Sequence, residues 1–414
     1  MLEKLFEKKT LIFDTYLQRR NVYFVIPVIL YLTLIIIGLA GEGAQQFSLL
    51  ANSFVHGHTY FMQSIGGVGQ DPVLYHGKIF WDEGPFPAVV LMPFVAFFNI
   101  WHIFFYQGYI KWLLVLLISY IIYKMARKLK FSRRDSLIWM FGFVLGSVFM
   151  GVASVSSGWL YAQVVGVLLE FWGLYEYMTK RRWWLIGLLT ACLFLTRIPA
   201  AAVFAFYLLA IGFARGSWET KRKQLFQLLI FFVIAIGLLG AYNWQRFGSP
   251  LNNGNQYQLL SPASSAARAM GVFSLDHIPT NLYTLVFRAP TPVLVSNYSW
   301  SLKAPWFENN PLGVSIFITS PWLLYLFTKR WTKYPAEARY LVIAAIIGLV
   351  LVLSYFGDGA DQLGYRYTLD FMPALFLGLM MLYKKNTGSI TRGMKILLIG
   401  SGVVNFYLLM SYVK

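Results

Sequence analysis

The chain has 414 residues, of which 58% are hydrophobic and only 13% charged, and its mean hydropathy is +0.58. Soluble domains carry about 25% charged residues, so this composition excludes a soluble globular protein. The net charge of +18 does not call for nucleic acid, because Lys and Arg gather in the cytoplasmic loops of membrane proteins.

Apolar runs of roughly 17–20 residues recur along the chain, which predicts an all-α, polytopic membrane protein. The single cysteine, Cys192, lies in such a run and excludes an intrachain disulfide. Residues 1–21 are basic and amphipathic, with Lys4, Lys8, Lys9, Arg19 and Arg20 among Leu, Phe and Tyr. They read as a cytoplasmic interfacial helix or as a disordered tail. Val22–Ala40 is the first predicted span. It is too long for a signal core and lacks a small-residue cleavage pattern, so no cleavable signal is expected.

The first outer loop then covers residues 41–108, with a short surface helix over Gln45–Val55. Residues 87–106 are apolar enough to cross. Crossing would send Lys124, Arg127, Lys128, Lys130, Arg133 and Arg134 outside, against the positive-inside rule. This segment is therefore expected to lie in the outer leaflet. Further spans are predicted near 109–127, 136–152, 160–178, 184–196, 198–214, 224–242, 312–328, 338–356, 367–383 and 394–412. That makes about eleven transmembrane helices, with the N-terminus inside and interfacial helices on the outer face. Residues 243–311 form the second outer loop, too aromatic for a linker and long enough to be a lid. Residues 1–383 form the main module; 384–414 add a cytoplasmic loop and the last span.

This topology collects acid–base groups on the outer side. Asp71 to Phe94 holds Asp71, Asp82, Glu83, His76 and Lys78, with Pro and Gly shaping the backbone as a loop. A solvated connecting loop would look the same. Glu42 follows span one, where partial desolvation raises a carboxylate's proton affinity. Arg197, in Leu195-Thr-Arg-Ile-Pro199, sits so near hydrocarbon that it needs an anionic partner, either a lipid phosphate or a structural carboxylate. Arg366 followed by Tyr367 suits a phosphate flanked by an aromatic ring. Asp358 and Asp361 form either a divalent-cation site or a solvated turn. No Walker loop, GxSxG or HExxH occurs, and no pair of broken helices in repeated halves favours a secondary transporter.

Several segments together resemble the bacterial GT-C glycosyltransferases, on the branch similar to the family 39 protein mannosyltransferases. They are Leu49-Leu-Ala-Asn-Ser-Phe-Val-His-Gly57, Tyr75-His-Gly-Lys-Ile-Phe-Trp-Asp-Glu-Gly-Pro-Phe-Pro-Ala88, Phe194–Pro199, Asn243–Pro250, Gly313–Pro321 and Gly364–Pro373. Each motif is loose, and their order over residues 22 to 383 carries the likeness. The resemblance implies a helical GT-C-like membrane fold and inverting transfer from a polyprenyl-phosphate sugar outside the cytoplasm. It places Glu42 where the family has its base, with Asp71 and Glu83 competing.

The expected function is thus a glycosyltransferase of the bacterial cytoplasmic membrane, its active site facing outside. Its partners are a polyprenyl-phosphate sugar donor, a saccharide, lipid or protein acceptor, and membrane lipid, but no nucleic acid. A divalent cation is the one optional cofactor. The expected catalytic residues are Glu42, Asp71 and Glu83; the expected substrate-binding residues are His76, Lys78, Arg197, Arg366 and Tyr367. The alternatives are a transporter or flippase for lipid-linked saccharides and a non-catalytic envelope scaffold.

Overall fold

The computed structural model describes residues 22–40, 43–63, 71–296, 300–357 and 359–412. Helices dominate, in chain order α1 (Val22–Ala40), α2 (Gln46–Val55), α3 (Phe86–Asn99), α4 (Gln107–Lys128), α5 (Arg133–Val144), α6 (Phe149–Ser154), α7 (Gly158–Met178), α8 (Trp183–Phe194), α9 (Phe204–Gly212), α10 (Trp218–Phe247), α11 (Pro262–Ala269), α12 (Ile278–Val286), α13 (Ala336–Leu353), α14 (Met372–Thr387) and α15 (Arg392–Tyr412). One apolar core runs through them, while Val25, Ile29, Leu32 and Ile36 of α1 and Val233, Ile234, Ile236 and Leu238 of α10 stay exposed, as lipid-facing side chains do.

Four helices among the described residues are long and apolar enough to cross a membrane: Gln107–Lys128, Trp218–Phe247, Ala336–Leu353 and Arg392–Ser411. The apolar stretch over 87–106 is not one helix. Pro87 stands in the first turn of α3, which lasts 14 residues, or about 21 Å, against a hydrocarbon core of about 30 Å. The chain then turns through His102, at φ 57°, toward α4.

Two predicted spans are broken. The 136–152 stretch divides into α5 and α6 around residues 145–148. Backbone carbonyls released there are taken by side chains from distant helices. Asn405 Nδ2 donates to Leu145 O at 3.0 Å, and Trp322 Nε1 donates to Gly146 O at 2.6 Å. Irregular backbone at membrane depth is stable only with such internal partners. The 312–328 stretch is not a continuous helix either. It opens as strand β5 (Leu312–Val314), makes one helical turn (Ile316–Thr319), and restarts at Pro321 as a 3-10 helix to Thr328. Pro321 has no N–H to give a continuing helix.

The all-α expectation also needs amendment, because three two-stranded sheets occur among the described residues. β1 (Val73–Tyr75) and β2 (Lys78–Phe80) form a hairpin closed by His76 and Gly77, both at positive φ, the geometry of a tight two-residue turn. β3 (Thr291–Leu294) pairs with β4 (Leu302–Glu308), and β5 pairs in parallel with β6 (Gln362–Gly364).

Candidate active site

The segment after β2 anchors itself with Trp81, which is fully buried against Phe47, Phe61 and Trp159. Asp82 and Glu83 follow, and then Gly84 lies directly on the Leu195 carbonyl, where a Cβ would not fit. Phe86 N–H donates to the same carbonyl at 3.2 Å. This close approach lays the two acids beside the turn that follows α8, from which Arg197 projects.

Arg197 is clasped by Asp370, with Nε to Oδ1 at 2.6 Å and Nη2 to Oδ2 at 2.8 Å. Its remaining nitrogen stands 3.6 Å from Glu83 Oε1. Of the two partners open to Arg197, the structural carboxylate is the one the fold supplies. Asp370 ends the 3-10 turn Arg366–Asp370, which also presents Tyr367 and Arg366. The Tyr367 ring has the Arg197 guanidinium 5.6 Å and the Arg366 guanidinium 5.2 Å from its centre. Arg366 is fixed through its backbone, its N–H donating to Gln362 Oε1 and its carbonyl accepting from Gln163 Nε2, both at 3.1 Å. Its guanidinium donates only to Ala360 O, at 2.8 Å, among the described residues. It is therefore the least committed cation in the site.

A third arginine enters from the last turn of α10, where Gly248 at φ 71° ends the helix. Arg246 donates to Trp81 O at 2.6 Å and to Asn243 Oδ1 at 2.8 Å, with its guanidinium 3.9 Å from the centre of the Tyr242 ring. The 243–311 segment reaches the acids through Gln258, whose Nε2 donates to Asp82 Oδ2 at 2.8 Å. The loop is stitched to β1 by a Val73–Gln258 bridge and by Leu259 N–H to Pro72 O at 2.9 Å.

These residues line a cavity of about 490 Å³. Asp71, Asp82, Glu83, Asp370 and the three arginines form its polar part; Ile198, Leu239, Val272 and Phe273 form an apolar flank. Asp82 Oδ1 and Glu83 Oε2 are buried and have no hydrogen-bond partner among the described residues. Burial, reinforced by the neighbouring charges of Glu83 and Asp71 and opposed by Arg246, pushes Asp82 up to about 8. Burial also raises Glu83, but Arg197 and then Arg366 hold it to about 6. Both carboxyls are thus raised by burial, and the arginines beside Glu83 oppose that rise more strongly than Arg246 does at Asp82. Asp71, at φ 58° before Pro72, is raised by burial against the pull of Arg366.

Of the residues expected from sequence, Asp71, Glu83, Arg197, Arg366 and Tyr367 meet in this cavity. His76 and Lys78 do not line it. They sit at the hairpin end, both exposed, with the Lys78 ammonium 4.3 Å from the centre of the Tyr60 ring. Glu42 and Asp358 lie outside the described residues; Asp361 is exposed and not part of the cavity. Among the described residues, no group of three His, Cys, Asp or Glu side chains is arranged to hold a metal ion. Sequence reasoning passed over Asp82, Arg246, Gln258 and Asp370 as site residues. Asp82, Arg246 and Asp370 each carry a signal, since they stand within the segments Tyr75–Ala88, Asn243–Pro250 and Gly364–Pro373.

No family model and no curated protein matches the chain. It is similar to solved structures of the Archaeoglobus fulgidus oligosaccharyltransferase. The apo crystal structure is 14% identical with a TM-score of 0.44, over 95% of this chain and 56% of that one. The same organism's AglB in complex with an inhibitory peptide and a dolichol-phosphate is 13% identical, with a TM-score of 0.42 and the same coverage. The form tethered to an acceptor peptide containing the NVT sequon is 13% identical with a TM-score of 0.46, over 96% of this chain. The chain spans 56% of the length of each of these proteins.

Proposed function

We propose that the chain is a glycosyltransferase that moves a sugar from a polyprenyl-phosphate donor to a hydroxyl-bearing acceptor on the extracytoplasmic face of a bacterial cytoplasmic membrane. The observation that carries this reading is the cavity itself: unpartnered carboxylate oxygens, an under-used arginine and an apolar flank converge in one space. A lipid phosphate is already a good leaving group. Transfer needs a base for the acceptor, a cation for the departing phosphate, and apolar surface for the prenyl chain.

In this reading Glu83 takes the acceptor's proton as the acceptor oxygen bonds to the anomeric carbon. The bond from that carbon to the phosphate oxygen breaks on the opposite side, inverting the centre. The released phosphate keeps the electron pair and is held by Arg366. Arg197, committed to Asp370, positions Glu83 and holds it ionised. Burial raises the proton affinity of Asp82, which favours its neutral form and limits the negative charge beside an anionic donor. Asp71 borders the same space, and Glu42 retains its place from the family resemblance as a rival base. The acceptor is a saccharide, lipid or protein.

The test is to incubate purified protein with a panel of polyprenyl-phosphate sugars and acceptors, scoring both sugar transfer and donor binding. A transferase with the cavity acids replaced loses turnover while still binding donor. A flippase moves donor across vesicles regardless of those acids, and that result would overturn the proposal.

A further inference from the structure

A second cavity, of about 410 Å³, opens between α2 and α3 and shares no lining residue with the first. Helix α2 packs its other side into the protein core. Its Phe47 packs on Trp81 and Tyr161, and Gln46 Oε1 accepts from Gly158 N at 3.0 Å. Ser48 and Asn52, four residues apart and so on one helix face, line the second cavity instead, with His56 beyond the end of α2. Asn99 and His102, from the end of α3 and the turn after it, complete the polar set.

The chemistry of this set is specific. Asn99 Nδ2 donates to Asn52 Oδ1 at 2.7 Å, and the His56 ring holds Asn52 O through Nδ1 at 2.8 Å. These bonds fix the side chains and leave further donors and acceptors open. Ser48 Oγ is buried, in a residue 1% exposed, and has no partner among the described residues. No Lys, Arg, Asp or Glu lines the space, so it lacks the charge that a phosphate or a carboxylate requires, and its two histidines belong to no group of three metal-ligating side chains among the described residues. Ser, Asn and His each donate and accept, as an alcohol hydroxyl does. Phe104 and Phe105 add an apolar wall, and the volume lies in the range of small-ligand sites. Ile103, which lines the cavity, and the preceding Ile100 and Trp101 are exposed, and an exposed Trp suits a membrane–water boundary.

We propose that this cavity binds an uncharged polyhydroxyl group, a sugar ring or a glycerol, carried on a membrane lipid or on a free saccharide. It is a binding site separate from the transfer chemistry, and its occupancy does not depend on whether the other cavity is catalytic.

The experiment uses full-length protein in phosphatidylcholine nanodiscs. One arm titrates maltose calorimetrically; the other incubates with glucosyl diacylglycerol and counts bound lipid by native mass spectrometry. Wild-type protein is expected to bind at least one probe saturably, and which arm responds identifies the source. Ser48→Val and Asn99→Leu are each expected to weaken binding at least about tenfold, from lost hydrogen bonds and lost space. His56→Ala, at an exposed position, supplies a variant that cannot fail by misfolding of the core, with melting temperature checked for all three. Arg366→Lys is expected to leave this binding unchanged. Absence of binding by wild type to both probes, or wild-type affinity in all three cavity variants, would overturn the assignment.

Discussion

Arg197 and Asp370 are joined by two hydrogen bonds, of 2.6 and 2.8 Å, across 173 residues of sequence. The pair locks the turn after α8 to the 3-10 turn before α14, and it commits the arginine that would otherwise be the obvious phosphate ligand. Asp370 is 3% exposed, so replacing Arg197 leaves a buried carboxylate without its main partner. Breaking a buried pair costs about 3–5 kcal/mol. Arg197→Ala is therefore expected to lower the melting temperature markedly, and Arg197→Ala with Asp370→Asn to recover part of the loss. Equal melting temperatures for wild type and the single variant would show that the pair is not structural.

Arg366 carries the phosphate in this account. A guanidinium can bind phosphate through two parallel hydrogen bonds, and an ammonium cannot. Arg366→Lys is expected to fold normally and to weaken donor binding at least about tenfold. Unchanged donor affinity would move the phosphate elsewhere, with Arg246 next in line.

Glu83 is expected to lose its charge as pH falls through about 6. Wild-type turnover should then decline below that pH. Glu83→Gln should lose roughly 10²–10⁴-fold at pH 7 while donor affinity changes little. The comparison set is Asp71→Asn and Glu42→Gln. Near-normal turnover in Glu83→Gln beside a dead Glu42→Gln or Asp71→Asn would transfer the role of base to that residue.

Asp82 makes a prediction about stability. Its folded pKa, about 8, is above the ordinary carboxylate value, so the folded state binds a proton that the unfolded chain has released. Stability must fall as pH rises from about 4 to 8. Asp82→Asn keeps a neutral polar side chain there at every pH. The melting-temperature difference between Asp82→Asn and wild type should grow in favour of the variant from pH 5 to pH 8; a constant difference would mean that Asp82 is ionised throughout.

The sequence made the helical membrane class legible because apolar runs report burial in lipid directly. Asp71, Glu83, Arg197 and Arg366, which line one cavity with Tyr367, are visible as charged groups in a greasy chain. What the sequence hid was pairing. Nothing local to Arg197 points to Asp370, and nothing local to Asp82 points to Gln258, because both contacts join distant segments. His76 and Lys78 are close to Asp82 and Glu83 in sequence, but they stand at the tip of the hairpin and do not line the cavity. The breaks at 145–148 and within 312–328 are invisible to a hydropathy window, since Asn405 and Trp322 satisfy the freed carbonyls from elsewhere in the chain.

The expected non-crossing of residues 87–106 has its own test. On a Cys192→Ala background, Lys78→Cys and Arg133→Cys should label from opposite sides of the membrane. Labelling from the same side would mean that the 87–106 segment crosses.

The central claim is that sugar leaves a lipid phosphate in the cavity of Glu83 and Arg366. The most direct measurement is single-turnover transfer of radiolabelled sugar from a synthetic polyprenyl-phosphate donor, followed beside donor binding in wild type, Glu83→Gln and Arg366→Lys. The account predicts transfer by wild type, bound but untransferred donor in Glu83→Gln, and impaired donor binding in Arg366→Lys. Wild-type transfer rates in both variants, or bound donor that wild type never turns over with any acceptor, would contradict it.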